Sequence, residues 1–357
     1  MKVALVYDRI NKWGGAERVL LALHEIFPDA PLYTSVYSKE NAKWAKVFKI
    51  KTTYLQKTKY FQKHNEVIAG LVPSAFESLD FSEYDLVISV TSEAAKGVLT
   101  NVNTKHICYC LTPTRYLWSG YDDYFQNKYI KFLSTPIVRY LKYWDKIASS
   151  RPDNMIAIST EVKKRIKKYY ERDSEIIFPP VLDLPRSKRK TSKKYFLLVS
   201  RLSKFTYYKK VDLAIDTFNE TKLPLIIVGS GPMRQDLEKR ANKNIKFVGD
   251  LTDESLAYYY ENCLALVFPG LEDFGLVMAE AQFYGKPVIA YKGGGALDIV
   301  KPGITGEFFD KQTVKSFSEA LKNFDQRRYN KRDIVRHSNI FGYKEFKKNI
   351  ESYINNL

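Results

Sequence analysis

The sequence predicts an α/β protein made of two doubly wound units. Three observations carry this. Short apolar runs closed by Gly or Pro alternate with helical segments along the chain. At 357 residues the chain exceeds one typical core and suits two domains. Between two such alternating series lies Pro185–Lys194, with six cations and no acid, which reads as a solvated linker. The expected domains are therefore residues 1–184 and 185–340, followed by a last helix within 341–357.

The most informative stretch runs from Leu264 to Val300. Leu264–Phe268 is a buried strand closed by Pro269-Gly270. Leu276–Tyr284 lacks Gly and Pro and is stopped by Gly285, so it reads as a helix. Pro287–Tyr291 is the next strand, followed by Gly293-Gly294-Gly295. The order makes a βαβ unit. Seven residues separate Glu272 in its loop from Glu280 on its helix. Phe274, Gly275 and Leu276 open that helix, where unpaired backbone N–H groups favour anions or sugar oxygens, and Gly275 permits close approach. Two isolated glutamates are ordinarily solvated surface residues. Their conjunction with strand, Pro-Gly, Phe-Gly and a second glycine loop points to a ligand held at both ends.

That conjunction resembles the signature of the retaining glycosyltransferases of family 4, or group 1: Glu, seven residues, Glu, with Phe-Gly inside and a Gly-Gly turn one strand later. The resemblance implies a GT-B fold, two Rossmann-like domains facing across a cleft. The activity it implies is transfer of a hexose from a nucleotide diphosphate sugar to a glycan or lipid-linked glycan, with retained configuration. Overall similarity leans toward mannosyltransferases using GDP-mannose.

In chain order, Val3–Tyr7 is the first strand, and Trp13-Gly14-Gly15-Ala16-Glu17 leads into a helix through Ile26. The pair Gly14 and Gly15 leaves room for a phosphate or sugar at that helix start, and matches a Gly-Gly-Ala-Glu of many family members. From Lys39 to Lys63 eight lysines face a single acid, Glu40, with Trp44, Phe48, Tyr54, Tyr60 and Phe61 interleaved. Two readings stand: a solvated flank, or a surface for anionic headgroups. Tyr84–Val90 and Lys105–Cys110 are further strands.

Leu111-Thr112-Pro113-Thr114-Arg115 then resembles the family's acceptor-side loop, Cys-His-Thr-Pro-x-Arg. Leu111 replaces the histidine, so Leu111, Thr112 and Arg115 are the acceptor-side candidates. His106 is no substitute, lying roughly 17 Å back along the same strand. Ile137, Leu141, Trp144 and Ala148 recur at helical spacing as a core stripe, with Pro136 at the expected helix start. Met155–Ser159 is a strand, Glu161–Tyr170 a helix, and Phe178-Pro179-Pro180-Val181 resembles the family's exit from its first domain.

The second series opens with strand Tyr195–Ser200 and Arg201. Lys209-Lys210-Val211-Asp212 starts the next helix. The resemblance places Arg201 and a lysine on the donor diphosphate. The loop Ser203–Tyr208 is longer than usual, so both Lys209 and Lys210 are candidates. Strand Leu225–Val228 precedes Gly229-Ser230-Gly231-Pro232, and strand Ile245–Gly249 precedes Leu251 and a helix capped by Thr252. In the family, Gly229 and Leu251 would border the nucleotide. Glu272 with Phe274, Gly275 and Leu276 would hold the sugar, and Glu280 the ribose. The last helix would cross back to the first domain. Arg201, Lys209 and Glu272 are the catalytic candidates.

Hydrophobic content of 45% supports packed domains and excludes a disordered chain. The net charge of +17 suits phosphorylated small molecules, anionic lipid or nucleic acid, but the basic linker lacks the aromatics that stack bases, so no nucleic-acid partner is expected. No apolar run reaches the roughly 20 residues of a membrane span. The N-terminus turns polar too soon for a signal peptide. Cys108, Cys110 and Cys263 have no metal-site spacing and read as buried thiols in a reducing cytoplasm. The expected location is cytoplasmic, peripheral at the inner membrane face. No Asp-x-Asp follows a convincing strand, so no metal or other cofactor is expected. The competing class is a GT-B protein that binds a nucleotide sugar or glycan without catalysis.

Overall fold

The computed structural model describes residues 1–57, 70–125, 127–182, 184–189, 191–192, 194–203 and 208–357, without the side chain of Asp123. The chain divides into Met1–Pro179 with Asn349–Leu357, and Pro180–Lys348. The split falls inside Phe178-Pro179-Pro180-Val181, and the end of helix Tyr343–Asn355 groups with the first unit.

The first unit contains β1 (Val3–Tyr7), β2 (Leu32–Thr34), β3 (Ile50–Thr52), β4 (Leu86–Thr91), β5 (Lys105–Cys110), β6 (Asn154–Ala157) and β7 (Glu175–Ile176). All pair in parallel, in the order β3-β2-β1-β4-β5-β6-β7. Every residue of β1 and β4 is buried, because helices cover both sheet faces and the strands carry unbroken apolar runs instead of alternation. The second unit contains β8 (Phe196–Val199), β9 (Leu225–Val228), β10 (Ile245–Val248), β11 (Leu266–Phe268), β12 (Val288–Tyr291) and β13 (Gly306–Phe309), all parallel, in the order β10-β9-β8-β11-β12-β13. Its core gathers Phe196, Ile227, Val267, Ile289, Phe218 and Phe317, with the rings of Phe309 and Phe317 stacked 4.5 Å apart.

Each sheet reverses its strand order once, between β1 and β4 and between β8 and β11. Connections leave such a switch point in opposite directions, opening a crevice at the carboxyl ends of those two strands. This positions the loops that matter below.

Helix starts follow capping chemistry. Ser159 Oγ accepts from Val162 N at 3.1 Å and Thr252 Oγ1 from Ser255 N at 3.3 Å. Helix Leu276–Phe283 ends before Gly285, which takes the left-handed conformation at φ +71°. One expected start is corrected. Pro136 lies inside helix Lys128–Ala148, which begins where Asn127 Oδ1 accepts from Tyr129 N and Ile130 N at 2.9 and 3.3 Å. Proline tolerates a first turn, but here the asparagine cap sets the start and the packed inner face carries the helix past it. Ile137 also leaves the expected core stripe: it is 41% exposed, whereas Leu141, Trp144 and Ala148 are buried.

That inner face carries a charge. Asp145 is buried, with Oδ1 accepting from Lys96 Nζ at 2.6 Å and Thr114 Oγ1 at 2.7 Å. Its Oδ2 accepts from Trp118 Nε1 at 2.7 Å and Tyr170 OH at 2.8 Å. Burial works against the Lys96 charge, and Asp145 beside it raises the lysine pKa above its ordinary value. Four donors thereby tie the segments after β4 and β5 and helix Thr160–Tyr170 to helix Lys128–Ala148. Removing one partner of such a pair strands a buried charge. Lys96→Met should therefore lower unfolding free energy by roughly 3–5 kcal/mol, while exposed Arg139→Ala on helix Lys128–Ala148 should stay within about 0.5 kcal/mol. Urea titration followed by tryptophan fluorescence checks this, since all four tryptophans lie in the first unit.

Candidate active site

In the second unit the loops after β8 and β11 meet at the switch point. Leu271 N donates to Tyr208 O at 3.1 Å, pinning the β11 loop beside the segment that holds Lys209. Lys209 Nζ then lies 2.5 Å from Glu272 Oε1, both side chains mostly covered at 13% and 15% exposure. Of the two candidate lysines, Lys209 reaches Glu272, while Lys210 is the left-handed residue, φ +53°, that precedes helix Val211–Thr221. Arg201 follows β8 and is exposed on the same carboxyl side.

Glycine makes this arrangement possible. A Cβ on Gly270 would stand 2.6 Å from Lys209 Cα, and one on Gly294 2.3 Å from Glu272 O. Gly295 N donates to Glu272 O at 2.9 Å, so the loop after β12 braces the backbone of the glutamate. Gly275 takes φ +91°, leaves the β11 loop in the left-handed region and hands the chain to helix Leu276–Phe283. Phe274 is buried there, its ring 5.6 Å from Phe341. Gln312 Nε2 donates to Pro269 O at 2.7 Å from the β13 side.

The loops after β9 and β10 join the same edge. Gly229 and Gly231 take φ +136° and +147°, and a Cβ on either would lie within about 2 Å of the carbonyl of Ser200 or Leu202. Ser230 Oγ donates to Asp250, next to half-buried Leu251. Glu280 is further enclosed, 5% exposed, and accepts from Tyr260 OH at 2.8 Å. Thus Arg201, Lys209, Gly229, Leu251, Glu272, Phe274, Gly275 and Leu276 share one sheet edge, while Glu280 lies one helical turn beyond Leu276 against Tyr260.

The first unit holds the other candidates. Gly14 precedes and Gly15 opens helix Gly15–Ile26, and a Cβ on Gly14 would meet Glu17 Oε2 at 3.1 Å. Glu17 is buried and accepts from Tyr7 OH at 2.7 Å; burial raises the Tyr7 pKa well above its ordinary value. Leu111 is half-buried, and its N donates to Thr91 O at 2.8 Å. Thr112 is buried, with Arg165 Nη1 donating to its hydroxyl at 3.4 Å, and Arg115 is half-buried, its backbone carbonyl accepting from Gly120 N at 2.8 Å. His106 is buried inside β5, 2.8 Å from Ser89 Oγ, and burial pushes its pKa down to about 3.

Two carboxylates escaped sequence reading. Asp8 fills the β1/β4 switch point: Oδ1 accepts from Thr91 Oγ1, Ala94 N and Ala95 N at 2.7, 2.9 and 2.9 Å, and Oδ2 from Ser92 N at 2.8 Å. Burial, with Glu93 nearby, still raises its pKa. Beside it Arg9 pairs with Glu93. Asp145 is the other; the sole acid among residues 128–148, set beside the apolar stripe, was the available signal. Among the described residues, no three His, Cys, Asp or Glu side chains gather as metal ligands.

The profile of the family described as Glycosyl transferases group 1 matches residues 183–338. The D-rhamnosyltransferase WbpZ of Pseudomonas aeruginosa is 26% identical over 220 residues, covering 57% of this chain and 56% of that protein. The O-antigen chain mannosyltransferase C of Escherichia coli is 26% identical over 220 residues, covering 56% and 57%. The chain thus spans about half the length of these curated relatives. Among solved structures, Anabaena HepE in complex with UDP-glucose matches with a TM-score of 0.71 at 18% identity, over 100% of both chains. At that identity the likeness is one of fold, the GT-B pairing of two Rossmann-like units. The match to the glycosyl transferases group 1 family thus lies over residues 183–338, most of the second unit.

Proposed function

We propose that the protein transfers a hexose from a nucleotide diphosphate sugar to a hydroxyl of a glycan or lipid-linked glycan, with retention of anomeric configuration. The observation that carries this is the Lys209–Glu272 pair at the carboxyl ends of β8 and β11, walled by glycine backbone, within the region that matches the family. Lys209 and Arg201 would stabilise the negative charge that grows on the departing diphosphate, the kind of fixed electrostatic help worth most in a water-poor site. The diphosphate would compete with Glu272 for Lys209, freeing that carboxylate for sugar hydroxyls. The N–H groups at Gly275 and Leu276 suit the same ligand, and Glu280 is assigned the ribose. Within the first unit, Gly14 and Gly15 are assigned a phosphate or sugar, and Thr112 and Arg115 the acceptor. GDP-mannose is the first donor to test, given the mannosyltransferase among the relatives, and UDP-glucose the second, given the ligand of HepE.

In the proposed step the bond from the anomeric carbon to the phosphate oxygen breaks while the acceptor hydroxyl bonds that carbon on the same face. The acceptor's proton passes to the released phosphate oxygen. No side-chain base is needed, which accommodates Leu111 where the resembling loop has histidine.

With a donor at 100 times its Kd, thermal or chemical unfolding should show about 2.7 kcal/mol of stabilisation. Turnover of the donor separates an enzyme from a protein that only binds it. Lys209→Ala and Glu272→Gln should each lower kcat by about 10²–10³ with an unchanged circular dichroism spectrum, and Lys210→Ala should cost far less. Wild-type turnover in the first two variants would end the assignment. The wild type should transfer with Leu111 in place, and Leu111→His should shift the ratio of rates between donors. A wild type inactive with every donor, but active as Leu111→His, would contradict the base-free step.

A further inference from the structure

Helix Lys128–Ala148 has a face that the first unit does not use. Its inner side, with Val138, Leu141 and Trp144, is buried. At about 3.6 residues per turn, Tyr129, Leu133, Tyr140, Tyr143 and Ile147 fall on one other side, with Phe132 at its margin. These side chains are open: Tyr129 is 82% exposed, Phe132 80%, Leu133 76% and Tyr143 70%. Single exposed apolar residues are ordinary, but a contiguous stripe along about 30 Å of helix is not.

The charges beside the stripe have one sign. Lys128, Lys131, Arg139, Lys142 and Lys146 occupy the third side, and the one acid of the helix, Asp145, is buried. Lys131 pairs with Asp122 and Lys146 with Glu171, while Lys142 lies over the rings of Trp118 and Tyr121. Lys128 and Arg139 meet no carboxylate among the described residues. Five cations forbid burial across a bilayer, and no helix is long and apolar enough to cross one.

We infer that this face docks the protein on an anionic lipid surface, the helix lying in the headgroup plane. Tyrosines suit that depth, with apolar ring and polar hydroxyl, phenylalanine and leucine suit the acyl boundary, and flanking cations meet lipid phosphates. A second copy of the chain fits less well, because two such faces would bring like charges together on a protein of net charge +17. This face lies apart from the Lys39–Lys63 stretch, one of whose two sequence readings is a surface for anionic headgroups. Within Lys39–Lys57, Phe48 and Leu55 are buried and Lys51 Nζ donates to Tyr33 OH at 2.7 Å, so that stretch is built into the sheet edge. Lys59 and Lys63, with Tyr60 and Phe61, lie outside the described residues.

The inference is independent of the transferase reading, and its test keeps the two apart. The full chain is floated with vesicles of phosphatidylcholine, with or without phosphatidylglycerol. Binding should require phosphatidylglycerol and weaken as salt rises, and Phe132→Asp with Leu133→Asp should reduce it by at least about tenfold. The circular dichroism spectrum and the thermal shift by a nucleotide sugar should not change in that double variant. No flotation of the wild type at low salt would overturn the inference, as would a double variant that floats equally well. Light scattering that shows a dimer dissociated by the double variant would overturn it too, and would assign the face to a second copy.

Discussion

Backbone packed directly on backbone at the carboxyl edge of the second sheet is the constraint on which the candidate site depends. Gly270 lies against Lys209, Gly294 and Gly295 against Glu272 and Phe274, and Gly229 and Gly231 against Ser200 and Leu202. No Cβ fits at these contacts. The close approach lets Leu271 N reach Tyr208 O and Gly295 N reach Glu272 O. Those bonds fix two loops that are more than 60 residues apart in sequence so that one lysine and one carboxylate meet. The charge pair is thus a consequence of chain packing and not of the two side chains alone.

The first unit meets the same topological demand with side chains. Its switch point is filled by Asp8, whose carboxylate takes the donors that begin the turn after β4. Asp145 does similar work for the segment after β5, fixing Thr114 and Trp118. Burying these carboxylates is costly, and each is satisfied by four donors, as a buried anion requires. The two units share a parallel, doubly wound plan and differ in how the loops at the strand ends are held: glycine contacts in one, buried anions in the other.

Most of this plan was legible because its signals are local. Unbroken apolar runs gave β1, β5, β9 and β12, and Gly285 and Thr252 marked a helix end and start. The glycine-and-glutamate pattern from Pro269 to Gly295 marked the loops that meet at the second unit's candidate site. Four strands, β2, β3, β7 and β13, escaped because each has two to four residues, and Lys51, Glu175 and Glu307 dilute the apolar signal. Pro136 misled because a proline that usually opens a helix sits inside one stabilised by tertiary packing. That Lys209 is the lysine beside Glu272 needed three dimensions, since two adjacent lysines are alike in sequence. Asp145 was hidden for a related reason: its four donors come from three separate segments.

The central claim is that the edge built around Lys209 and Glu272 receives a diphosphate. Titration calorimetry of the full chain with a nucleoside diphosphate and with the parent nucleoside tests it most directly. The account predicts that the diphosphate binds at least about 100-fold more tightly, a difference of about 2.7 kcal/mol, and that rising salt narrows the gap. Equal affinity for nucleoside and diphosphate would contradict it.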